Sequence, residues 1–435
     1  MTQLLIWIVV CAAIAFLTRD RPMIAVGVSV ALWFLVPAVA GSVITGQPTG
    51  PLSSHPASWL VLVSLAMQLV YSRRKLGGVI ARNVLLYLSL LVVIAVAYVN
   101  TRYSDVGSGT VILIDQVVVP VAAFILIMTA ATKRSIRRLR TLFIVLTAVV
   151  VVVALAQWIT QQPLVYAKQF ESLYWFASKG NRWMGTLDQP LALSFAVCVT
   201  TPLLAAITRW YIRVPLIGLM LVGALISQSR LGIVLVLVGA MYVMIASATT
   251  WPRRTAGIAA TAIGAIALAF SPLADGLIGR LQNDTGSTRA RELAIDFFAS
   301  NWSQYFIVGR GVSSSYRVGS AAGLGTSLES SILMYSIDIG IVFAVLYFGA
   351  MAYLLVRYAR RGFITGAWLA GAMALIIPNT YSALATRSVA GILVWGVLAM
   401  VTAASQLKAA ELPDESLDEL QVATGVQPRD RAIVA

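Results

Sequence analysis

Apolar residues run in long blocks along most of the chain, separated by short polar connections. That is the patterning of helices in lipid, not of an amphipathic fold wrapped around one core. Blocks of roughly 15–25 residues lie near 3–18, 23–45, 58–72, 80–99, 111–132, 141–158, 190–208, 214–228, 231–248, 256–272, 328–356, 363–379 and 388–405. They predict an all-α polytopic membrane protein of about 12–13 transmembrane helices, a domain covering 1–407. The first block has no basic stretch before it and no small-residue cleavage site, which predicts a retained span and not a cleaved leader. After Leu407 the chain is polar and acidic in its first half, and 408–435 is expected to be a disordered cytoplasmic tail.

Charge orients this pattern. The 435 residues are 59% hydrophobic and 11% charged, with a formal net charge of +15. In a soluble chain such a balance would point to nucleic acid, but most of these Lys and Arg residues sit in every second connection. Examples are Arg19/Arg21, Arg73–Lys75, KRSIRRLR at 133–140, Arg253/Arg254 and Arg357/Arg360/Arg361. Basic loops mark the cytoplasmic side, so no nucleic-acid partner is expected and the two long loops, about 159–189 and 273–327, fall outside. Cys11 and Cys198 lie in apolar blocks, which argues against a disulfide framework. The outer loops hold no acidic cluster or His/Cys set with metal-ligand spacing, so neither a metal nor a cofactor is expected.

What the outer side does hold is arginine. The stretch from Thr285 to Gly340 is the longest departure from membrane-like composition and carries Arg289, Arg291, Arg310 and Arg317. A guanidinium fork binds phosphate oxygens two at a time and does not lose its proton. From Arg291 onward, Leu293, Ile295, Phe297, Phe298 and Trp302 fit an amphipathic helix lying on a membrane surface, with Arg289 and Arg291 near its start, where backbone N–H groups favour an anion. Arg230, in SQSRLG between two apolar blocks with almost no loop, is either a snorkelling helix-end charge or a residue needing an anionic partner.

Arg182 precedes the block at 190 in a loop rich in aromatics, Trp158, Tyr166, Phe170, Tyr174, Trp175, Phe176 and Trp183. These suit an interfacial belt or a sugar-facing platform. Glu329 either favours a helix start by its charge or acts chemically. Asp338, deeper in the same block, is expected to pair, with a loop arginine as one partner. His55, the only histidine, stands in a Pro/Ser/Gly-rich loop and suggests nothing.

Three stretches together resemble the bacterial O-antigen ligase and O-antigen polymerase group of membrane glycan-assembly proteins. NRWMGTLDQPLALSF is similar to that group's Arg-x-x-Gly before a proline that opens a span, and SRLG at 229–232 to its Ser-Arg-x-Gly. In the third, Arg291 is followed eighteen residues on by Gly309-x-Gly311, and Glu329 by Gly340 eleven residues on. The resemblance covers about 140–360 and departs at one place, because the group's His-Asn pair is Glu329-Ser330 here. It implies a glycosyltransferase C-like fold in a bacterial cytoplasmic membrane with its active site on the outer face. The donor would be a polyprenyl-diphosphate-linked glycan and the acceptor a glycan, lipid or protein. In this reading Arg230, Arg291 and Glu329 are catalytic, and Arg182, Arg289 and Arg310 bind substrate. A transporter or flippase of lipid-linked sugars and a peptidoglycan-type polymerase are the alternatives.

Overall fold

In lipid every backbone N–H and C=O must be satisfied within the protein, so each apolar block has to become a helix or part of a closed barrel. The computed structural model describes residues 1–104, 107–173, 182–247, 251–272, 285–324, 328–359 and 362–410, with Ile278, and every regular element among them is helical. The tail expected from 408, apart from its first three residues, lies outside the described residues, as do Tyr174, Trp175, Phe176 and the first part of the 273–327 loop.

The principal elements are α1 (Thr2–Leu17), α2 (Met23–Leu35), α3 (Gly41–Thr45), α4 (Pro56–Tyr71), α5 (Arg73–Arg82) and α6 (Val84–Arg102). They continue with α7 (Gly109–Thr129), α8 (Lys133–Thr160), α9 (Pro190–Ala206), α10 (Trp210–Ile226), α11 (Arg230–Ser247) and α12 (Trp251–Ala269). The last are α13 (Thr285–Asn301), α14 (Ser314–Ala321), α15 (Ser331–Ile339), α16 (Ile341–Arg357), α17 (Ala367–Ile376) and α18 (Ala390–Ala409). Among the described residues α6, α7, α8, α11 and α18 are long and apolar enough to cross a membrane, while α1, α4, α9, α10 and α16 are apolar but shorter.

Two expected spans are broken. Residues 23–45 do not form one rod: α2 ends at Leu35 and the chain turns by 99° into Ala38–Thr45. The cause is Pro37, whose ring pushes the preceding residue out of the helical region, and Val36 is extended at φ −114°. The block at 328–356 is likewise two helices, because Gly340 between α15 and α16 takes φ 97°, a conformation that side-chain-bearing residues avoid.

At the centre stand α18, buried at every residue from Ala390 to Ser405, and α7 beside it. Trp395 of α18 donates its indole N–H to the Tyr347 hydroxyl at 3.1 Å and meets Phe124 edge-on at 5.4 Å. Outer helices carry the opposite burden. Leu5, Val9, Leu85, Leu91, Val234 and Ile263 are among many large apolar side chains left exposed, an area no water-soluble monomer tolerates. This is a membrane-embedded helical protein.

Candidate functional site

The site begins at the far end of α8. Gln157, in its last turn, is buried and receives the Gly185 N–H at 2.9 Å while donating its amide to the Gly185 carbonyl at 2.8 Å. That double clamp holds the loop ahead of α9. Further along, the Thr186 hydroxyl donates to the Phe34 carbonyl, and the Asp188 carboxylate accepts the Ala38 and Val39 N–H groups at the bend after α2. Burial pushes the Asp188 pKa up to about 6. From this anchored loop Arg182 reaches across and donates its Nε–H to the Ser227 carbonyl at 3.0 Å.

Ser227 belongs to the joint between α10 and α11, where the SQSRLG stretch turns within almost no length. Gln228 takes φ 52° to make the turn, and Ser227, Gln228 and Ser229 are all buried. Arg230 opens α11 and is half-buried. Gly232 is required by proximity, since a Cβ there would lie 2.0 Å from the Ser194 hydroxyl of α9.

The Tyr381 hydroxyl closes the gap between these elements. It hydrogen-bonds Ser194 Oγ at 3.0 Å and also Ser229 Oγ. Burial pushes its pKa up to about 12, so the phenol stays protonated. Tyr381 sits in the loop between α17 and α18, which touches nearly every part of the site. Its carbonyl receives the Ser331 N–H at 3.0 Å and the Ser331 hydroxyl at 2.5 Å, while Leu384 N–H returns a bond to that hydroxyl at 3.2 Å. Gln189 reaches the same loop at Thr386 Oγ1, 2.8 Å away.

Ser331 is the first residue of α15, and two positions before it stands Glu329, with φ 51°. An L-residue with a side chain in this left-handed region stores strain. Its carboxylate lies 2.9 Å from the Arg291 Nε, with side-chain exposures of 29% for Glu329 and 45% for Arg291. The helix-start role open to Glu329 belongs to its neighbour, because the Ser330 hydroxyl accepts the Leu333 N–H as the N-cap of α15.

Arg182, the Ser229–Arg230 joint, Glu329 and Arg291 are therefore gathered into one connected region, with Tyr381 as the link. Arg289 and Arg310 are not drawn in: both side chains are exposed, and the Arg310 backbone N–H donates to the Ile337 carbonyl. Two local expectations are corrected. The surface helix begins at Thr285, so Arg289 and Arg291 lie beyond the four N–H groups that a helix start leaves open, and the anion-at-the-N-terminus reason lapses. Among the described residues Asp338 pairs with no arginine: its carboxylate accepts the Ser313 and Ser315 N–H groups at 2.9 and 2.7 Å and so caps α14. Meanwhile α13 leaves Leu293 and Ile295 exposed and buries Ala294.

A second polar cluster gives His55 a place. Asp115, in a π-helical turn of α7, lies 2.9 Å from Arg387 Nε and accepts the His55 N–H and the Ser58 hydroxyl. Arg387 also donates to the Ser53 carbonyl. The His55 ring stacks on Trp33 at 3.8 Å. It accepts the Ala57 N–H at Nδ1, so Nε2 carries the proton and donates to the Val36 carbonyl. Burial pushes its pKa down to about 3, which keeps the ring neutral.

Among the described residues no three His, Cys, Asp or Glu side chains are gathered as a metal site needs. No protein-family model matches the chain, and no curated protein matches it either. Tyr381, Ser194, Asp115 and Arg387 went unnoticed in the sequence, where a tyrosine or a lone arginine in a short loop carries no spacing signal.

Proposed function

We propose that this chain is a metal-independent glycosyltransferase of 12–13 membrane spans, working on the outer face of a bacterial cytoplasmic membrane. It transfers or polymerises glycan from a polyprenyl-diphosphate-linked donor. The observation that carries this reading is the convergence of Arg182, the Ser229–Arg230 joint and the Arg291–Glu329 pair through Tyr381. Support for the orientation comes from α8, a helix of 28 residues that rises about 36 Å from the basic cluster at Lys133 to the clamp at Gln157. The arginine site and the basic loops thus lie at opposite ends of one helix longer than a hydrocarbon core of about 30 Å.

In the proposed reaction an acceptor hydroxyl attacks the anomeric carbon, the bond from that carbon to the phosphate oxygen breaks, and polyprenyl diphosphate leaves. Negative charge develops on the leaving oxygen, where fixed guanidinium groups stabilise it. Arg291 and Arg230 supply that charge, with Arg182 steadying the diphosphate. Diphosphate competes with Glu329 for the Arg291 fork, which frees the carboxylate to orient the acceptor hydroxyl and take its proton. The strained backbone at Glu329 fits a residue held for chemistry, not for packing.

The test is the lipid-linked glycan profile of a strain lacking this chain. Accumulated single repeat units are expected for a polymerase and accumulated full-length chains for a ligase. Donor trapped on the cytoplasmic side would make the protein a flippase and overturn the proposal.

A further inference from the structure

At the other end of α8, away from the arginine site, lies a cavity of about 820 Å³. The turn between α1 and α2, the ends of α4 and α7, and the starts of α5 and α8 enclose it. Its rim carries Arg19, Arg21, Lys75, Arg134 and Arg138 against a single carboxylate, Asp20. Asp20 is 92% exposed and only 4.0 Å from Arg19, a weak partner. Arg21, Lys75, Arg134 and Arg138 make no ion pair or side-chain hydrogen bond among the described residues. The rest of the lining includes apolar Met23, Ile24, Leu139 and Leu142, of which Leu139 is buried, and Gly27 leaves room against Leu142.

Basic loops alone would satisfy the topology rule wherever they lay along the surface. They need not converge on a hollow, and they need not floor it with apolar side chains. Cations over an apolar wall complement one class of molecule, an amphiphile whose head bears phosphate and whose tail is hydrocarbon. The neighbouring groove along α8 continues the pattern, with Lys133, Arg137 and Arg138 above Leu142 and Val145.

We infer that this cavity is a binding site for an anionic phospholipid of the leaflet bordering the basic end. The phosphate sits among Lys75, Arg134 and Arg138, and an acyl chain runs along Met23, Leu139 and Leu142. This inference stands apart from the glycan reading, because it concerns the opposite end of the molecule and needs no transfer activity.

The experiment is native mass spectrometry of the full chain after delipidation, with phosphatidylglycerol or phosphatidylcholine added back. Phosphatidylglycerol is expected to be retained and phosphatidylcholine not. Each cation near the surface contributes about 1 kcal/mol of attraction, or roughly fivefold. Arg134→Gln with Arg138→Gln therefore weakens retention roughly 25-fold, whereas Arg73→Gln with Arg74→Gln, outside the cavity, changes it less than about twofold. Equal retention of both lipids, or equal loss in both double variants, would overturn the site. So would complete displacement by millimolar inorganic phosphate, which would make it a site for a free anion. Should the 134/138 variant not fold, Lys75→Gln gives a single fivefold step to read. Arg134→Lys with Arg138→Lys, which keeps the charge, is expected to retain the lipid.

Discussion

Two carboxylate–arginine pairs in this molecule have the same length, 2.9 Å, and opposite surroundings. Asp115 is fully buried, and besides Arg387 it accepts the His55 N–H and the Ser58 hydroxyl. Glu329 and Arg291 meet at the surface, on a backbone held at φ 51°. The first pair is over-determined by its neighbours and ties α4, α7 and the loop before α18 together. The second has little to gain in stability, since an exposed pair contributes about 0–1 kcal/mol. Equal distance therefore says nothing about role; burial and backbone strain separate the joint that holds the fold from the pair at the surface.

Breaking the buried pair has the largest expected effect. Asp115→Asn leaves the Arg387 guanidinium without its counter-charge, which costs about 3–5 kcal/mol. Little folded protein should survive extraction, as read by monodisperse elution in detergent. Asp115→Leu combined with Arg387→Met is expected to recover part of that loss, because an apolar pair of similar volume often replaces a buried ion pair at little cost. A well-folded Asp115→Asn protein would remove the structural half of the comparison.

The exposed pair should answer in the reverse way. Arg291→Ala is expected to change stability by at most about 1 kcal/mol, yet on the proposed mechanism to lower transfer roughly 100–1000-fold. Arg291→Lys should be nearly as damaging, since lysine keeps the charge but loses the two-pronged grip on diphosphate oxygens. The measurement is transfer from a lipid-diphosphate donor by reconstituted protein. Normal turnover in the lysine variant would mean that Arg291 acts as a point charge at most.

Tyr381 lies between these extremes. Tyr381→Phe removes the hydroxyl that joins Ser194 to Ser229 and leaves two buried serines short of a partner. A cost of about 1–3 kcal/mol follows, read as a lowered thermal midpoint in detergent. No change in midpoint would show that the SQSRLG joint is held in place without the phenol.

Most helices were legible because an apolar block in lipid has one way to satisfy its backbone, and the basic connections gave an orientation to propose. Direction was not legible. Composition cannot tell a straight span from one that turns at Pro37 or Gly340, because the break lies in two backbone angles and not in hydropathy. In the site, the arginines stood out by their cost near a membrane, and Arg182, Arg230 and Arg291 do lie in the region joined through Tyr381. Tyr381 itself and the Asp115–Arg387 pair escaped because their partners are far off in sequence, 272 residues in the case of Asp115. Asp338 misled for another reason: its partners are backbone N–H groups, which no letter in the sequence records.

The smallest expected effect sharpens the comparison most, because it separates strain from charge at one residue. Glu329→Gln removes the carboxylate and its pairing with Arg291 but leaves a side chain at φ 51°. Glu329→Gly removes both, and glycine occupies the left-handed region without a steric penalty. The loss of the charge pair is common to the two variants, so their difference in stability reports chiefly the backbone at 329, together with what the glutamine side chain still touches. Strain of this kind amounts to about 1–3 kcal/mol, and the greater freedom of glycine in the unfolded chain offsets roughly 1 kcal/mol of it. The glycine variant is therefore expected to be more stable than the glutamine variant by up to about 1–2 kcal/mol. On the proposed mechanism both should be nearly inactive in transfer while still binding the lipid diphosphate. A glycine variant no more stable than the glutamine one would mean that the turn at 329 holds no strain, and the carboxylate would then have to be justified by its chemistry alone.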